Sequence, residues 1–313
     1  MKIGIIGTGM VGSCIAFSLA VKGTAEKLIL IDDNKERAIA EALDISHATP
    51  FTFGTRIIAG SVEDLKDTDI IIITAGANQK KGESRLDLLT KNVAIFKAVI
   101  PEIVKYAPQA ILLIATNPVD IMTEIALHLS GLPKNQVLGT GTVLDSARFR
   151  SSLGYHLGIS PTSVHANVIG EHGDSEVLLW SGAVAGTTPI ARIAAQTAKT
   201  LDEEIKTCID NDVRNAAYAI IRGKGSTYFG IAASVQHIIE AIAQNSRMIL
   251  TVSTHHDESI SGDKDICYAM PAILDRQGIK KTLIPVMNET ELTLLQKSTQ
   301  TLFEYTQKAL KML

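Results

Sequence analysis

The sequence predicts an α/β protein in which a doubly wound parallel sheet is followed by a mixed α+β domain. In the first half, short aliphatic runs alternate with segments of helical period, which is typical of βαβ units. Beyond residue 143 this alternation stops, and longer helical segments take its place. We therefore expect two domains, residues 1–143 and 144–313. Because no flexible linker separates them, we expect the two domains to pack tightly.

The elements of the first domain follow from its apolar pattern. Strands are predicted at residues 2–6, 28–31, 56–59, 70–74 and 110–115. Helices are predicted at residues 10–21, 35–47 and 86–106, the last of them interrupted near Pro101.

The second domain is predicted to mix short strands with long helices. Strands are expected at residues 164–169, 177–179, 248–253 and 266–274, and the last of these turns at Arg276-Gln277-Gly278. Helices are expected at residues 191–222, 226–244 and 289–310, and the final one is amphipathic.

The composition excludes several classes of protein. Thirty basic residues against 33 acidic ones give a net charge of −3, so no basic face for nucleic acid or anionic lipid is expected. No apolar stretch reaches the ~18 residues of a membrane helix, and the N-terminus lacks the pattern of a signal peptide. The three cysteines, Cys14, Cys208 and Cys267, are far apart and odd in number. They are interpreted as buried thiols of a cytoplasmic protein, not as disulfides or metal ligands.

A glycine-rich segment, Gly7-Thr8-Gly9-Met10-Val11-Gly12, lies between the first strand and the first helix. In that position Gly7 makes the tight turn, Gly9 admits a pyrophosphate, and Gly12 allows close packing of helix on strand. Asp32 follows Gly12 by twenty residues, where it accepts hydrogen bonds from a ribose and repels a 2′-phosphate. The segment therefore predicts a Rossmann-type fold that binds NAD in preference to NADP. A plain glycine turn is the alternative.

A second segment, Gly170-Glu171-His172-Gly173-Asp174-Ser175-Glu176, predicts acid–base chemistry. Histidine gives and takes a proton near neutral pH, and a buried carboxylate such as Asp145 suits its other ring nitrogen. In a helix, Asp145 and Arg148 share one face, so one helix serves both the histidine and an anionic substrate. The other seven histidines, His255-His256 among them, are interpreted as surface or hydrogen-bonded core residues or left open.

Several segments, in their order and spacing, match one known family. They are residues 7–12, 74–92, 116–120, 139–150, 170–176 and 225–228. On these segments the chain resembles the lactate/malate dehydrogenase family almost from end to end, and in particular its bacterial, allosteric lactate-converting members.

The resemblance implies a role for each site residue. His172 would be the acid/base, Asp145 its orienting partner, and Arg85 a lid residue that polarises the substrate carbonyl. Substrate contacts are expected from Gln79, Arg85, Asn117, Asp145, Arg148 and Thr227. Cofactor contacts are expected from Gly7, Gly9, Met10, Val11, Gly12, Asp32, Arg37, Gly76, Ala77, Ala115, Asn117 and Thr140.

Gln79 bears on the choice of substrate. The resemblance implies that malate-converting members carry arginine at this position, as a countercharge for the second carboxylate of oxaloacetate. A neutral glutamine favours pyruvate, because closing the lid over an unpaired carboxylate costs several kcal/mol. Malate and longer 2-oxo acids remain alternatives, and Lys80 and Lys81 offer a charge nearby. A non-catalytic NAD-binding sensor and a structural oligomer are rivals from other classes.

Arg150 and His165 match positions at which allosteric relatives bind fructose 1,6-bisphosphate across a subunit interface. Arginine and histidine from two chains suit a bisphosphate. The alternative is that both are ordinary interface or surface residues. The resemblance further implies a homotetramer in the cytoplasm, acting at the end of glycolysis in the fermentation of pyruvate.

Overall fold

The structure is a computed structural model that describes residues 1–77, 85–257 and 265–313, without the side chain of Arg85. No helix within these ranges is long and apolar enough to cross a membrane.

A twisted parallel sheet forms the first half of the chain. Its strands are β1 (Lys2–Ile6), β2 (Lys27–Ile31), β3 (Arg56–Ala59), β4 (Ile70–Ile73), β5 (Ile111–Ile114) and β6 (Val137–Gly139). They are arranged in the order β3-β2-β1-β4-β5-β6, with all neighbours parallel. The connecting helices are α1 (Met10–Lys22), α2 (Lys35–Ala48), α3 (Arg85–Tyr106), α4 (Val119–Ser130) and α5 (Val143–Leu157). This order is that of a Rossmann fold, and it confirms the predicted fold class.

The second half contributes further short strands and helices. The strands are β7 (Val164–His165), β8 (Val168–Ile169), β9 (Val177–Leu178), β10 (Val184–Ala185), β11 (Thr188–Pro189), β12 (Ile249–His256), β13 (Ile266–Asp275) and β14 (Gly278–Thr282). The helices are α6 (Ile190–Gln196), α7 (Glu203–Lys224), α8 (Phe229–Ala243) and α9 (Glu289–Leu310).

The main sheet does not end with the first half of the chain. Strands β12, β13 and β14 continue it in antiparallel fashion beyond β6, and Ser253 of β12 lies opposite Gly139 of β6. A Cβ on Gly139 would lie 2.3 Å from the Thr123 hydroxyl of α4, so glycine is what allows the helix this close to the sheet. The two halves of the chain therefore share one nine-stranded sheet.

The strands are buried on both faces, which explains their unbroken aliphatic sequences. In β4, Ile71 and Ile73 pack beneath α3, α4 and α9. Ile70 and Ile72 face the opposite side, where they contact the core formed with α1 and α8. A third apolar cluster lies around α5 and α7, away from the main sheet, and includes Phe149.

Helix α3 continues through Pro101, so the interruption expected there is wrong. Proline removes one backbone hydrogen bond, but Pro101 lies on the exposed face, where water can satisfy the freed carbonyl of Lys97. On the opposite face Phe96, Ile100 and Ile103 are fully buried. Their burial stabilises a helix that continues through the proline.

Two other predicted elements are divided in the structure. The helix expected at 191–222 ends with α6, and α7 starts after Asp202, whose side chain accepts a hydrogen bond from the Ile205 N–H (3.0 Å). Between them Ala198 adopts a left-handed conformation that interrupts the helix. The strand expected at 164–169 becomes β7 and β8, which belong to different sheets, because the Val168 N–H donates to the Ser146 hydroxyl of α5.

All three cysteines are free thiols, but they are not all buried as expected. Cys267 is buried in β13, Cys14 is half-buried in α1, and Cys208 lies on the exposed face of α7. The amphipathic pattern of α7 leaves one side in solvent, and Cys208 falls on that side.

Candidate active site

The glycine-rich turn lies at the carboxyl end of β1, between β1 and the amino end of α1. Gly7 has a φ of +95°, and its N–H donates to the Ile31 carbonyl at 2.7 Å. A Cβ on Gly12 would lie 1.9 Å from the Gly7 carbonyl oxygen, whereas one on Gly9 would meet nothing within 4 Å. The turn is thus closed towards the sheet and open above Gly9.

The amino end of α1 has space and free donors for an anionic group. No side chain caps the helix at Gly9, and no acidic residue lies in its first turn. The backbone N–H groups of Met10 and Val11 therefore have no partner within the helix, and the helix dipole favours negative charge there. These features fit the pyrophosphate of a dinucleotide.

Asp32 follows β2 and points back towards the turn. One carboxylate oxygen accepts hydrogen bonds from the Thr8 N–H (2.6 Å) and hydroxyl (3.0 Å), and the other accepts from the Asn34 N–H (2.9 Å). Partial burial raises the pKa of Asp32, but these hydrogen bonds and the charge of Arg37 outweigh it, so the pKa is lowered. Asp32 is therefore a fixed negative charge beside the dinucleotide turn, which disfavours a 2′-phosphate.

The other predicted cofactor residues follow neighbouring strands. Ala115 and Thr140 continue β5 and β6, where their N–H groups donate to the carbonyls of Ile73 and Ile114, both at 2.9 Å. Asn92 of α3 accepts from the Ala77 N–H (2.8 Å) and donates to the Asn117 carbonyl (2.7 Å). Gly76 packs against Thr116 so closely that a Cβ would lie 2.7 Å from its methyl group. These segments line the carboxyl edge of the sheet, where Rossmann folds bind ligands.

Helix α5 positions Asp145 and Arg148. Asp145 lies in the first turn, where the helix dipole favours its charge, and only 1% of the residue is exposed. Arg148 lies one turn later and donates from Nη1 to Asp145 Oδ1 at 2.7 Å. The two side chains therefore lie on one face of α5, as the helical spacing predicted.

His172 is carried by the loop between β8 and β9, which is fixed at several points. Gly170 pairs with Ala269 of β13, the Glu171 N–H donates to the Ser298 hydroxyl of α9 (2.9 Å), and the His172 N–H donates to Asp120 of α4 (2.8 Å). Its Nδ1 lies 2.5 Å from Asp145 Oδ2. Nε2 forms no hydrogen bond within the described ranges, so this atom is available to a substrate.

The charges of the site favour an imidazolium. Burial lowers the pKa of His172, but the carboxylate of Asp145 outweighs it and raises the pKa to about 9. Burial likewise raises the pKa of Asp145, and the charges of His172 and Arg148 outweigh it, so that this pKa is lowered. The pair therefore holds a proton on the ring and a negative charge on the carboxylate.

Two buried carboxyl groups near His172 were not predicted from the sequence. Burial raises the pKa of Asp120 to about 6, although the His172 N–H opposes the shift. Burial and the charge of Asp145 raise the pKa of Glu176 to about 8. Glu176 is the last residue of the histidine segment, but nothing in the sequence showed that it turns inward. Asp145, His172 and Glu176 have ligand atoms within 4.8 Å of one another, but Asp145 is already paired with His172 and Arg148.

Some predicted site residues are not brought together by the structure. Gln79 and the side chain of Arg85 lie outside the described residues. Thr227 is half-buried between α7 and α8, and no hydrogen bond within the described part of the chain joins it to His172. His165 is exposed on β7, while the Nε atom of Arg150 is buried beside a cavity of about 360 Å³.

Together these features fit one class of protein. A dinucleotide-binding turn near a buried histidine–carboxylate pair, with an arginine on the same carboxylate, is typical of an NAD-dependent oxidoreductase.

Comparison with known proteins identifies the family. The lactate/malate dehydrogenase NAD-binding domain matches residues 1–139, and the alpha/beta C-terminal domain of the same family matches residues 142–313. An L-lactate dehydrogenase of Allorhizobium ampelinum is 48% identical over 302 residues, which cover 96% of this chain and 97% of the relative. One from Thermus aquaticus is 45% identical with the same coverage. The chain belongs to the lactate/malate dehydrogenase family, and the predicted resemblance and the NAD cofactor are confirmed.

A solved structure agrees with this assignment. The minor L-lactate dehydrogenase of Enterococcus mundtii, in a ligand-bound form, superposes with a TM-score of 0.94 at 37% identity and covers 98% of both chains.

The contacts of Asp32 generate a prediction about cofactor affinity. Asp32→Ala removes a fixed acceptor beside the turn, so NADH should bind at least about tenfold more weakly, which corresponds to about 1.4 kcal/mol. The measurement is an NADH fluorescence titration, with Asp33→Ala as the matched control because Asp33 is exposed and adjacent. Equal losses in both variants would contradict the assignment of Asp32.

The His172–Asp145 pair generates a prediction about pH. Because the pKa of His172 is raised from 6.5 to about 9, the stability that its protonation contributes is fully present at about pH 6.5 and is lost as the pH rises through about 9. Because the pKa of Asp145 is lowered, the pair also loses stability when this carboxylate is protonated in acid. In Asp145→Asn the charge and hydrogen bond that oppose burial most strongly are lost, while Asp120 and Glu176 still raise the pKa, so the pKa of His172 should fall well below about 9. NMR titration of ring-labelled histidine measures it. Asp33→Asn is the control and should leave it unchanged; an unchanged pKa in Asp145→Asn would be inconsistent with the pair.

Proposed function

We propose that the chain is an L-lactate dehydrogenase that reversibly reduces pyruvate to L-lactate with NADH. The observation that carries the proposal is the buried contact of His172 Nδ1 with Asp145 (2.5 Å), together with Arg148 on the same carboxylate. The relatives described above, which bear the name L-lactate dehydrogenase, support this reading.

His172 is proposed as the proton donor and acceptor. NADH, when bound, supplies the hydride that reaches the carbonyl carbon of pyruvate. The ring gives the Nε2 proton to the carbonyl oxygen as negative charge develops there, and in the reverse direction Nε2 takes the proton from the lactate hydroxyl. Asp145 fixes the tautomer and stabilises the imidazolium through Nδ1. Nδ1 therefore orients the ring through Asp145, and Nε2 exchanges the proton with the substrate.

Binding of the substrate is proposed to depend on arginine. Arg148 presents its free guanidinium donors to the pyruvate carboxylate, with Thr227 lining the same pocket. Asn117 would hydrogen-bond the reacting oxygen, and Arg85 would polarise the carbonyl when the lid closes. On this proposal residues 1–143 bind the cofactor and residues 144–313 supply the acid–base and carboxylate-binding groups.

Gln79 is proposed to exclude dicarboxylates. A neutral amide gives no countercharge to the second carboxylate of oxaloacetate, whereas the methyl group of pyruvate needs none. Malate dehydrogenase activity is therefore the weaker candidate. The use of longer 2-oxo acids depends on the volume of the substrate pocket. A non-catalytic NAD-binding sensor is disfavoured because His172, Asp145 and Arg148 are in contact in a geometry suited to turnover.

We further propose a homotetramer regulated by fructose 1,6-bisphosphate bound at Arg150 and His165. The Nε atom of Arg150 is buried and has no hydrogen-bond partner among the described residues. This supports a partner from a bound effector or from a second subunit. Titration of the bisphosphate against pyruvate reduction tests the effector. A cytoplasmic location, at the end of glycolysis, follows from the free thiols and from a reaction that regenerates NAD.

The role of His172 gives the first prediction of this proposal. His172→Ala removes the proton donor, so turnover with pyruvate should fall by about 10²–10⁴-fold while NADH binding is kept. Steady-state kinetics and an NADH titration measure the two effects. His156→Ala, at the far end of α5, is the control and should keep full turnover. Near-normal turnover in His172→Ala would rule out the assignment.

The proposed role of Gln79 gives a second prediction, about substrate preference. Gln79→Arg adds the countercharge for a second carboxylate, so the ratio of kcat/KM for oxaloacetate to that for pyruvate should rise by at least about a hundredfold. Gln277→Arg makes the same chemical change in the β13–β14 turn, and its ratio should stay that of the unaltered protein. If the two variants show the same ratio, position 79 does not select the substrate.

A further inference from the structure

A buried cluster of three possible metal ligands lies between α4 and the β12–β13 pair. It consists of Glu124, His255 and Cys267, and the proposed reaction uses none of them. Glu124 is 1% exposed, Cys267 is 1% exposed, and the side chain of His255 is 6% exposed. Glu124 lies one helical turn after Asp120, so the cluster is next to the active site but separate from it.

The backbone holds the three side chains together. His255 and Cys267 are directly opposite each other on the antiparallel strands β12 and β13. Glu124 reaches them from α4, and its Oε2 lies 2.9 Å from His255 Nδ1. The carboxylate oxygen, Nδ1 and Sγ all lie within 4.8 Å of one another. Two ligand atoms on a tetrahedral zinc ion are about 3.3–3.7 Å apart, so side-chain shifts of about 1 Å at most bring all three onto one ion.

Carboxylates lie beside the second ring nitrogen of His255. Its Nε2 is 2.7 Å from Asp265 Oδ1 and 3.4 Å from Asp257 Oδ1, although neither contact has the geometry of a hydrogen bond. A histidine that binds a metal through one ring nitrogen usually gives the other N–H to a carboxylate, which orients the ring. Asp257 also pairs with Lys134, which is on the solvent side.

The charges of the three ligands suit a divalent ion. A metal is bound by carboxylate, neutral imidazole and thiolate, so Glu124, His255 and Cys267 would place two negative charges around two positive ones. Binding would release the thiol proton of Cys267 to solvent.

The donor set selects the kind of metal. A thiolate with an imidazole and a carboxylate suits zinc, and calcium and magnesium prefer oxygen ligands alone. A fourth position is open to water or to His128, which is half-exposed one turn after Glu124, with Nδ1 3.2 Å from Glu124 Oε1. We propose that Glu124, His255 and Cys267 bind one zinc ion, which joins α4 to the β12–β13 pair.

The test is a titration of the chelator-treated full-length protein with Co²⁺, which substitutes for zinc and reports a thiolate ligand by charge-transfer absorption. One Co²⁺ per chain should give this band, and Zn²⁺ should remove it. Cys267→Ser should abolish the band, whereas Cys208→Ser, which removes an exposed thiol, should keep it. No band in the unaltered protein, or a band that survives Cys267→Ser, would overturn the proposal.

Two variants separate loss of a ligand from loss of the fold. Asp265→Asn leaves all three ligands in place and should weaken Co²⁺ binding by about 10–100-fold. Glu124→Gln keeps the shape of the side chain and should weaken it at least as much, even if Cys267→Ser does not fold. Unaltered Co²⁺ affinity in both variants would mean that the cysteine alone binds metal and that the site is wrong. The band does not depend on turnover, so it is independent of the proposed lactate activity.

Discussion

The contact between His172 and Asp145 is the interaction on which the rest of the site depends. It places two opposite charges 2.5 Å apart, with only 2% of the Asp145 side chain exposed. Breaking a buried pair by removing one partner typically costs about 3–5 kcal/mol, because the remaining charge is left without compensation. The pair therefore requires a fold that brings both side chains to one point, and Arg148 pairs with the same carboxylate.

The continuous nine-stranded sheet meets this requirement. Gly170 pairs with Ala269 on β13, so the histidine loop is attached to the antiparallel extension of the sheet. The same extension joins β6 through Ser253 and Gly139, next to the strand ends that carry the predicted cofactor residues. The predicted cofactor residues and the histidine loop are thus attached to the same sheet. If zinc binds between α4 and β12–β13, it strengthens the same junction, because α4 also carries Asp120.

Much of this could be predicted from the sequence because its signals are local. The glycine segment between a strand and a helix specified the turn, and the spacing of Asp145 and Arg148 specified a shared helix face. Apolar segments such as residues 70–74 could be predicted as strands without knowledge of the residues they contact. The antiparallel extension of the sheet could be predicted only in part. Two of its strands were recognised, but no local pattern indicated that they join the parallel sheet.

The parts that were missed depend on distant partners. Asp120 and Glu176 acquire their roles only when α4 and the histidine loop meet, and Glu124 lies more than a hundred residues before His255. Cysteine spacing alone therefore gave no sign of a ligand set at Cys267. The break between α6 and α7 was missed for a different reason, since helical periodicity persists across it and only Ala198 and the cap at Asp202 interrupt it.

The most direct test of the account is NADH oxidation by the unaltered protein with pyruvate and with oxaloacetate. We expect kcat/KM for pyruvate to exceed that for oxaloacetate by at least about a hundredfold, because the neutral side chain of Gln79 offers no countercharge to a second carboxylate. A preference for oxaloacetate would contradict it and would make the chain a malate-converting member of the family.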